Sequence, residues 1–400
     1  MLKMNCYFFS IKEKNAADAG AKALIVYNNE PGIFLGELIH EFSEPEYIPQ
    51  IPVVSIDREE GLEIIEKIEN ENSGIMQLFY NPDFIAHFSS RGPVSPFYIK
   101  PDMVAPGAYI NTTQIGSTYN FTSGTSFAAP HVSGAAALLL QKNPELQNQE
   151  LKSLLMTTVQ PVSNAYGQEF SLHESGSGRL DIANAYNAKL IISPTNFVIN
   201  FSPEQLSIEK QLELKLIEGE IEEINVKFEG PEFIEFTHNI KNNKLQIELN
   251  VIGEEYGEHE GKIFINHEKI QYTIPVLMHY TKGSILVNQE NEKLFFEIEH
   301  PDKWSFAKIS VINSKNGNMD TTTTTPNKKT SIEIYDNGEY WIEAKIKVNG
   351  NTSDAFNTIK INSLSEKIEK SELRDIPEKQ IILIVSMIVI IGIVGLIIRK

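Results

Sequence analysis

The spacing of apolar and polar positions changes several times along the chain. Asn15-Ala16-Ala17-Asp18-Ala19-Gly20 precedes the apolar run Leu24-Ile25-Val26-Tyr27, which predicts a short helix, a glycine stop and a strand. Ile51-Pro52-Val53-Val54-Ser55-Ile56 predicts a second strand. Asp57 then reads as an N-cap with Glu60 three residues on, and Leu62, Ile64, Ile65 and Ile68 recur at helical spacing. Ala128, Ala129, Ala135, Ala136 and Ala137 favour helix, and Leu138, Leu139 and Leu140 make its later turns apolar all round. A buried central helix is therefore expected, with Gly134 allowing close packing, Pro130 in the first turn and Asn143-Pro144 at the end.

From Lys189 the spacing switches to alternation. Leu245, Ile247, Leu249 and Val251 alternate with Gln246, Glu248 and Asn250. Ile263 and Ile265 face Ile270, Tyr272 and Ile274 across a turn. Ile332 and Ile334, the Asp336-Asn337-Gly338 turn, and Tyr340, Ile342 and Ala344 predict a further hairpin. Two β-sandwiches are expected, at 190–282 and 283–363, with Thr321–Thr325 as an exposed loop. Residues 364–380 are charged and lack an apolar stripe, which predicts a stalk. Residues 381–398 carry no charge and are followed by Arg399-Lys400. As a helix this run is about 27 Å long, near the roughly 30 Å hydrocarbon core of a bilayer. A single membrane span is expected, with Arg399-Lys400 cytoplasmic and residues 1–380 outside the cytoplasm.

The 400 residues allow several domains, and a formal net charge of −18 argues against a nucleic-acid partner. One cysteine rules out an intrachain disulfide framework. His238, His259, His267, His279 and His300 are scattered along predicted strands without ligand spacing, so no metal site is expected among them.

The chemistry concentrates in Asn120-Phe121-Thr122-Ser123-Gly124-Thr125-Ser126-Phe127-Ala128-Ala129-Pro130-His131-Val132-Ser133-Gly134. Ser126 stands where a Gly-containing loop meets the Ala-rich helix. A serine there exposes its hydroxyl, and its N–H lies at the positive end of the helix dipole, where an oxyanion is stabilised. The run resembles the nucleophile segment of the subtilisin-like serine proteases, the subtilases. Phe88-Ser89-Ser90-Arg91-Gly92-Pro93, Lys100-Pro101-Asp102-Met103-Val104-Ala105-Pro106-Gly107 and Gly176-Ser177-Gly178-Arg179-Leu180-Asp181 resemble flanking segments of the same family, in family order. The region before residue 81 resembles the protease-associated domain inserted in many subtilases.

The resemblance implies a serine endopeptidase acting on peptides or proteins. Ser126 would be the nucleophile, its backbone N–H one oxyanion donor, and Gly124 and Thr125 the loop that supports it. It implies no organic cofactor; calcium occurs in the family, but no residue here is assigned to it. His131 lies five residues from Ser126, an offset that points to a different helix face, and it reads as structural. Asp18-Ala19-Gly20 echoes an aspartate motif of the family but reads as a helix stop. No His-Gly-Thr segment occurs, and His40 and His87, the histidines before Ser126, lack its context. The catalytic Asp and His and the oxyanion Asn are therefore expected upstream of Met1, on a longer chain or a separate fragment.

The expected architecture is multidomain. A protease-associated α+β domain (1–80) precedes the C-terminal part of an α/β subtilase domain (81–189). The two sandwiches, the stalk and one transmembrane helix follow. Segment 81–187 is expected to fold poorly alone, and the β modules independently. The competing class is a non-catalytic surface binding protein built on a decayed or split protease.

Overall fold

The computed structural model describes residues 2–3, 9–30, 49–70, 84–164, 167–217 and 224–362. The N-terminal unit comprises β1 (Leu2–Lys3), α1 (Phe9–Asp18), β2 (Leu24–Tyr27), β3 (Val53–Ile56) and α2 (Arg58–Asn70). Its strands pair in parallel in the order β1-β2-β3, with Leu24 opposite Val53. Both ends of this reading hold locally. Gly20 takes a φ of +85° just after α1, and Asp57 caps α2 by accepting the Glu60 amide at 2.8 Å. Helix α1 starts earlier than its alanines suggest. Its buried Glu13 accepts the Gln50 and Ile51 amides at 2.7 and 2.8 Å and so fixes the lead-in to β3.

The next unit holds the hairpin β4 (Ile110–Gln114) and β5 (Thr118–Thr122), then α3 (Thr125–Lys142), α4 (Asn148–Thr157), α5 (Leu172–Ser175) and α6 (Ile182–Asn187). A first sandwich follows, formed by β6 (Leu190–Ser193), β7 (Phe197–Phe201), β8 (Ser207–Leu216), β9 (Asn225–Glu229), β10 (Ile234–Lys241), β11 (Lys244–Val251), β12 (Gly257–His267) and β13 (Ile270–Tyr280). Its sheets run β10-β11-β8-β6 and β7-β13-β12-β9. Leu245, Ile247 and Leu249 of one sheet and Ile263, Ile265, Tyr272 and Ile274 of the other share one core, as alternation predicts.

Strand β13 breaks the alternation, because Tyr272 to Tyr280 are all buried. A strand buried on both faces reads as a nearly continuous apolar run, here Ile-Gln-Tyr-Thr-Ile-Pro-Val-Leu-Met-His-Tyr. Its inner face meets the other sheet. Its outer face is covered by the preceding unit, where Ile99 and Leu172 pack on Leu277. Pro275 is tolerated because parallel pairing with β7 begins only at Val276.

The second sandwich comprises β14 (Ser284–Glu290), β15 (Lys293–Glu299), β16 (Trp304–Asn313), β17 (Met319–Thr324), β18 (Thr330–Glu333), β19 (Gly338–Val348) and β20 (Asn351–Ile361). Its sheets run β14-β15-β18 and β17-β16-β19-β20. Two expectations are corrected here. The Asp336-Asn337-Gly338 turn does not close a hairpin: β18 pairs with β15, and β19 pairs with β16 and β20. The turn carries the chain from one sheet to the other, and Ile332 and Ile342 meet across the core instead of within a sheet. The threonine run is a strand and not a loop. Thr322 and Thr324 face Ile309 and Ala307 across β16, a pairing that suits β-branched side chains.

Helix α3 departs furthest from its pattern. Only Ala135 and Leu139 are buried, whereas Leu138 and Leu140 are 44% and 38% exposed. A Cβ at Gly134 would meet open space. Leu138 and Leu140 lie outside the covered face, so the expected burial on every side is not realised. The face that is covered packs on the first sandwich. Ala135, Leu139, Leu154, Ala185 and Leu190 belong to the same continuous core as Ile263 and Tyr272. Ser153 reinforces the join by donating to the Ile192 carbonyl at 2.7 Å and accepting the Ile192 amide at 2.9 Å. The helical unit and the first sandwich thus share one packed core. The stalk and the span expected at 381–398 lie outside the described residues. Among the described residues no helix is long and apolar enough to cross a membrane.

This burial contrast predicts unequal costs along three adjacent leucines. Leu139→Ala should destabilise by about 3 kcal/mol, since it empties a packed site. Leu138→Ala should cost less than about 0.5 kcal/mol. Urea midpoints of the two variants, compared with the parent chain, check this; equal costs would refute the one-sided packing of α3.

Candidate active site

Ser126 is the second residue of α3 and is exposed. At that position its amide is one of the N-terminal N–H groups left over by intrahelical bonding. Pro130 is the sixth helical residue and not part of the first turn. It has no N–H to give to the carbonyl of Ser126, four residues back, so the helix is open at this residue.

The turn before Ser126 is held from a distance. The Gly124 amide donates to the Gly107 carbonyl at 2.8 Å, and the Gly124 carbonyl accepts the Phe127 amide at 3.0 Å. The Ser123 hydroxyl accepts the Tyr109 amide at 2.9 Å. Gly107 must lack a side chain, because a Cβ there would come within 2.9 Å of the Gly124 carbonyl oxygen and 3.2 Å of Ala128. Thr125 is exposed as the first helical residue. Gly124 and Thr125 therefore form the rim from which the Ser126 hydroxyl projects.

The flanking glycine-rich segments meet one another. The Ser177 amide donates to the Asp102 carbonyl at 3.0 Å. Val104 is bonded from both sides, with its amide on Gly178 and its carbonyl on Leu180, each at 2.9 Å. Gly176 takes a φ of +59°, and a Cβ there would sit 2.2 Å from the Pro101 carbonyl oxygen. Asp181 caps α6 through the Asn184 amide at 2.8 Å and accepts the Gln160 amide side chain at 2.9 Å. The Gly92 amide donates to the His173 carbonyl at 2.8 Å, and Arg91 pairs with Glu174 at 3.2 Å. Segments far apart in sequence, 91–92, 101–107 and 173–181, thus form one braced loop layer beneath the Ser126 turn.

Histidines near in sequence are otherwise engaged. His131 donates from Nδ1 to the Phe127 carbonyl at 2.8 Å, a bond within its own helix. His87 is exposed and lies edge-on to Phe88. His173 gives its Nε2 to Glu258 at 2.8 Å. His40 lies outside the described residues. Among the described residues no histidine hydrogen-bonds the Ser126 hydroxyl, and no group of three His, Cys, Asp or Glu side chains could hold a metal ion.

One feature was invisible to spacing. Glu258, Glu260 and Lys262 project from the same face of β12 and grip the loop 169–173 of the preceding unit. Glu258 binds His173, and Glu260 accepts the Leu172 amide on both oxygens at 2.9 and 3.0 Å. Lys262 pairs with Glu169. Burial raises the Glu260 carboxyl above its usual range, against the lowering effect of the Leu172 amide. The alternation of these residues was legible, but it reads as an ordinary solvated strand face.

A subtilase family model matches residues 43–178 and a PA domain model matches residues 2–64. The chain is similar to the minor extracellular protease Vpr of Bacillus subtilis, 30% identical over 208 residues, which covers 49% of this chain and 25% of that protein. It is similar to the subtilisin-like protease SBT1.6 of Arabidopsis thaliana, 38% identical over 135 residues, covering 28% of this chain and 18% of that protein. The PII-type proteinase of Lactococcus lactis subsp. cremoris is 29% identical over 204 residues, covering 45% of this chain and 11% of that protein. The chain spans a quarter or less of the length of these three relatives. The two models overlap at 43–64 and together span residues 2–178, which marks that part of the chain as similar to subtilases that carry a PA domain.

Proposed function

We propose that this chain is the membrane-anchored C-terminal portion of an exported subtilisin-like serine endopeptidase. The carrying observation is Ser126 itself, exposed at the open N-terminal turn of α3 within Gly124-Thr125-Ser126. In this reading the Ser126 hydroxyl attacks the scissile carbonyl of a peptide. A histidine takes its proton, an aspartate orients that histidine, and the Ser126 amide donates to the oxyanion. The histidine, the aspartate and an oxyanion Asn come from an upstream segment, on a longer chain or a separate fragment. Support for such a complement comes from the bare faces near the site. Tyr109, Ile115, Tyr119 and Phe121 of the hairpin region are exposed, Ile115 fully, together with Leu138 and Leu140 of α3. Exposed apolar surface of this kind marks a docking face. The uncharged run 381–398 would hold the assembly at the cell membrane, with the bulk of the chain extracytoplasmic.

A fluorophosphonate probe tests the nucleophile. Mixed with a separately made upstream subtilase fragment, the chain should be labelled at Ser126, and Ser126→Ala should abolish the label. Gly107→Ala should cut labelling at least about tenfold, by pushing the Gly124 carbonyl out of place. The chain alone should show no measurable peptidase activity, because a serine hydroxyl without a base is a weak nucleophile. Labelling that survives Ser126→Ala would overturn the assignment. Labelling absent from every mixture would favour the non-catalytic binding protein.

Protease shaving of intact cells tests the topology. The β modules of the anchored chain should be removed, leaving the membrane segment behind. Full protection from the external protease would place the body in the cytoplasm and contradict the proposal.

A further inference from the structure

Three units meet around His279. It lies on the outer face of β13, directly opposite Glu258 of β12. Its Nδ1 is 3.7 Å from one Glu258 oxygen, while His173 Nε2 is 2.8 Å from the other. On its other side the His279 ring contacts Phe356 of β20, with centroids 5.0 Å apart. Phe356 in turn meets Phe97 edge-on at 5.8 Å, and Phe97 stacks on Trp341 at 5.6 Å. One aromatic chain therefore ties the 93–98 loop of the subtilase unit to the second sandwich, and one carboxylate ties the same unit to the first.

The chemistry of this cluster is unbalanced towards protons. His173 and His279 share a single carboxylate. The remaining nitrogens, His173 Nδ1 and His279 Nε2, are buried and make no hydrogen bond among the described residues. A neutral His279 imidazole fits this arrangement. Charging His279 would put a cation into a buried site whose carboxylate, Glu258, already binds His173, with the Pro96 carbonyl as the backbone acceptor. The charged groups facing His279 are Glu258 from β12, His173 from α5 and Asp354 from β20, and the 93–98 loop contributes only the Pro96 carbonyl. Farther out in the open cleft of about 760 Å³, Lys345 pairs with Glu343 at 3.4 Å. Lys282 there lies over the Tyr256 ring, and His300 bonds Ser353 at 3.2 Å.

We propose that this junction is an acid-released latch, in which protonation of His279, packed between Glu258 and Phe356, frees the 93–98 loop and the second sandwich from the first. Burial lowers the affinity of His279 for a proton, outweighing Glu258 and the Pro96 carbonyl, which favour the charged form. The sign follows from linkage. A histidine whose pKa is depressed in the closed state stabilises closure above its ordinary value near ~6.5, and that stabilisation is lost as pH falls through the depressed value. Each coupled proton shifts the closed-to-open ratio by up to about tenfold per pH unit. Glu260, beside the cluster, acts in the opposite direction, because its raised carboxyl pKa favours the closed form as it protonates. The latch does not depend on Ser126 being active. Its position matters because His173 and Gly92 belong to the loop layer beneath Ser126.

The test uses the full chain in detergent. Trp304→Phe leaves Trp341 as the sole tryptophan reporter, since the chain has two. Between pH 7.5 and 5, Trp341 emission should shift reversibly to the red. Hydrogen exchange should rise at 92–98, 172–176 and 351–356 and stay unchanged in β11 and β16. His279→Gln should remove the transition or lower its midpoint by at least about one pH unit, whereas His300→Gln should leave it in place. If His279→Gln fails to fold, His279→Asn is read in its stead, with the same expectation. A flat Trp341 signal, an unchanged midpoint in the histidine variant, or exchange rising throughout both sandwiches would overturn the latch.

Discussion

The double burial of β13 is the constraint on which the arrangement of this chain depends. Apolar side chains leave that strand on both faces, so the first sandwich cannot be a free-standing module with one solvated sheet surface. Leu277 requires a cover, and Ile99 and Leu172 supply it. Once they dock, the polar row on neighbouring β12 is carried into contact with the same loop. Its hydrogen bonds then fix the register of the docked surface, which apolar packing alone leaves loose. Burial supplies the adhesion, and Glu258, Glu260 and Lys262 supply the direction.

That docking reaches the Ser126 turn through backbone. The loop gripped by β12 continues into Gly176 and Gly178, which lie against 101–104 too closely to admit side chains. The 101–107 segment ends at Gly107, whose carbonyl holds the Gly124 amide. Each step is a main-chain hydrogen bond or a Cβ-free contact, so the path is stiff and insensitive to side-chain identity except at its glycines. Main-chain bonds of this kind fix the Cα of Ser126 and leave its hydroxyl to the χ1 rotamer.

Local features were legible in the sequence and global partners were not. The cap at Asp57, the stop at Gly20 and the alternation of Leu245, Ile247 and Leu249 are decided within a few residues, and all of them are found in the structure. The start of α3, with Gly124 at its N-cap and Thr125 and Ser126 as its first residues, belongs to the same class. The failures share one cause. Alternating strands satisfy a core equally well whether they pair within a sheet or face each other across one, so Ile332 and Ile342 misled about the Asp336 turn. The Leu138-Leu139-Leu140 run states that a helix can be buried on every side, but not that cover is present. Polar alternation along β12 looks the same whether water or a neighbouring loop receives it.

Helix α3 therefore carries two different surfaces. The face with Ala135 and Leu139 is committed to the shared core, which sets the axis of the helix and the direction of its dipole. On the opposite side a Cβ at Gly134 would meet open space, and Leu138 and Leu140 are exposed. The Ser126 end of the helix is tied to the 101–107 segment by the Gly124–Gly107 bond. Cover on the bare side would bury Leu138 and Leu140. The exposed apolar surface and the exposed Ser126 hydroxyl thus belong to one helix, whose single committed face sets the direction of both.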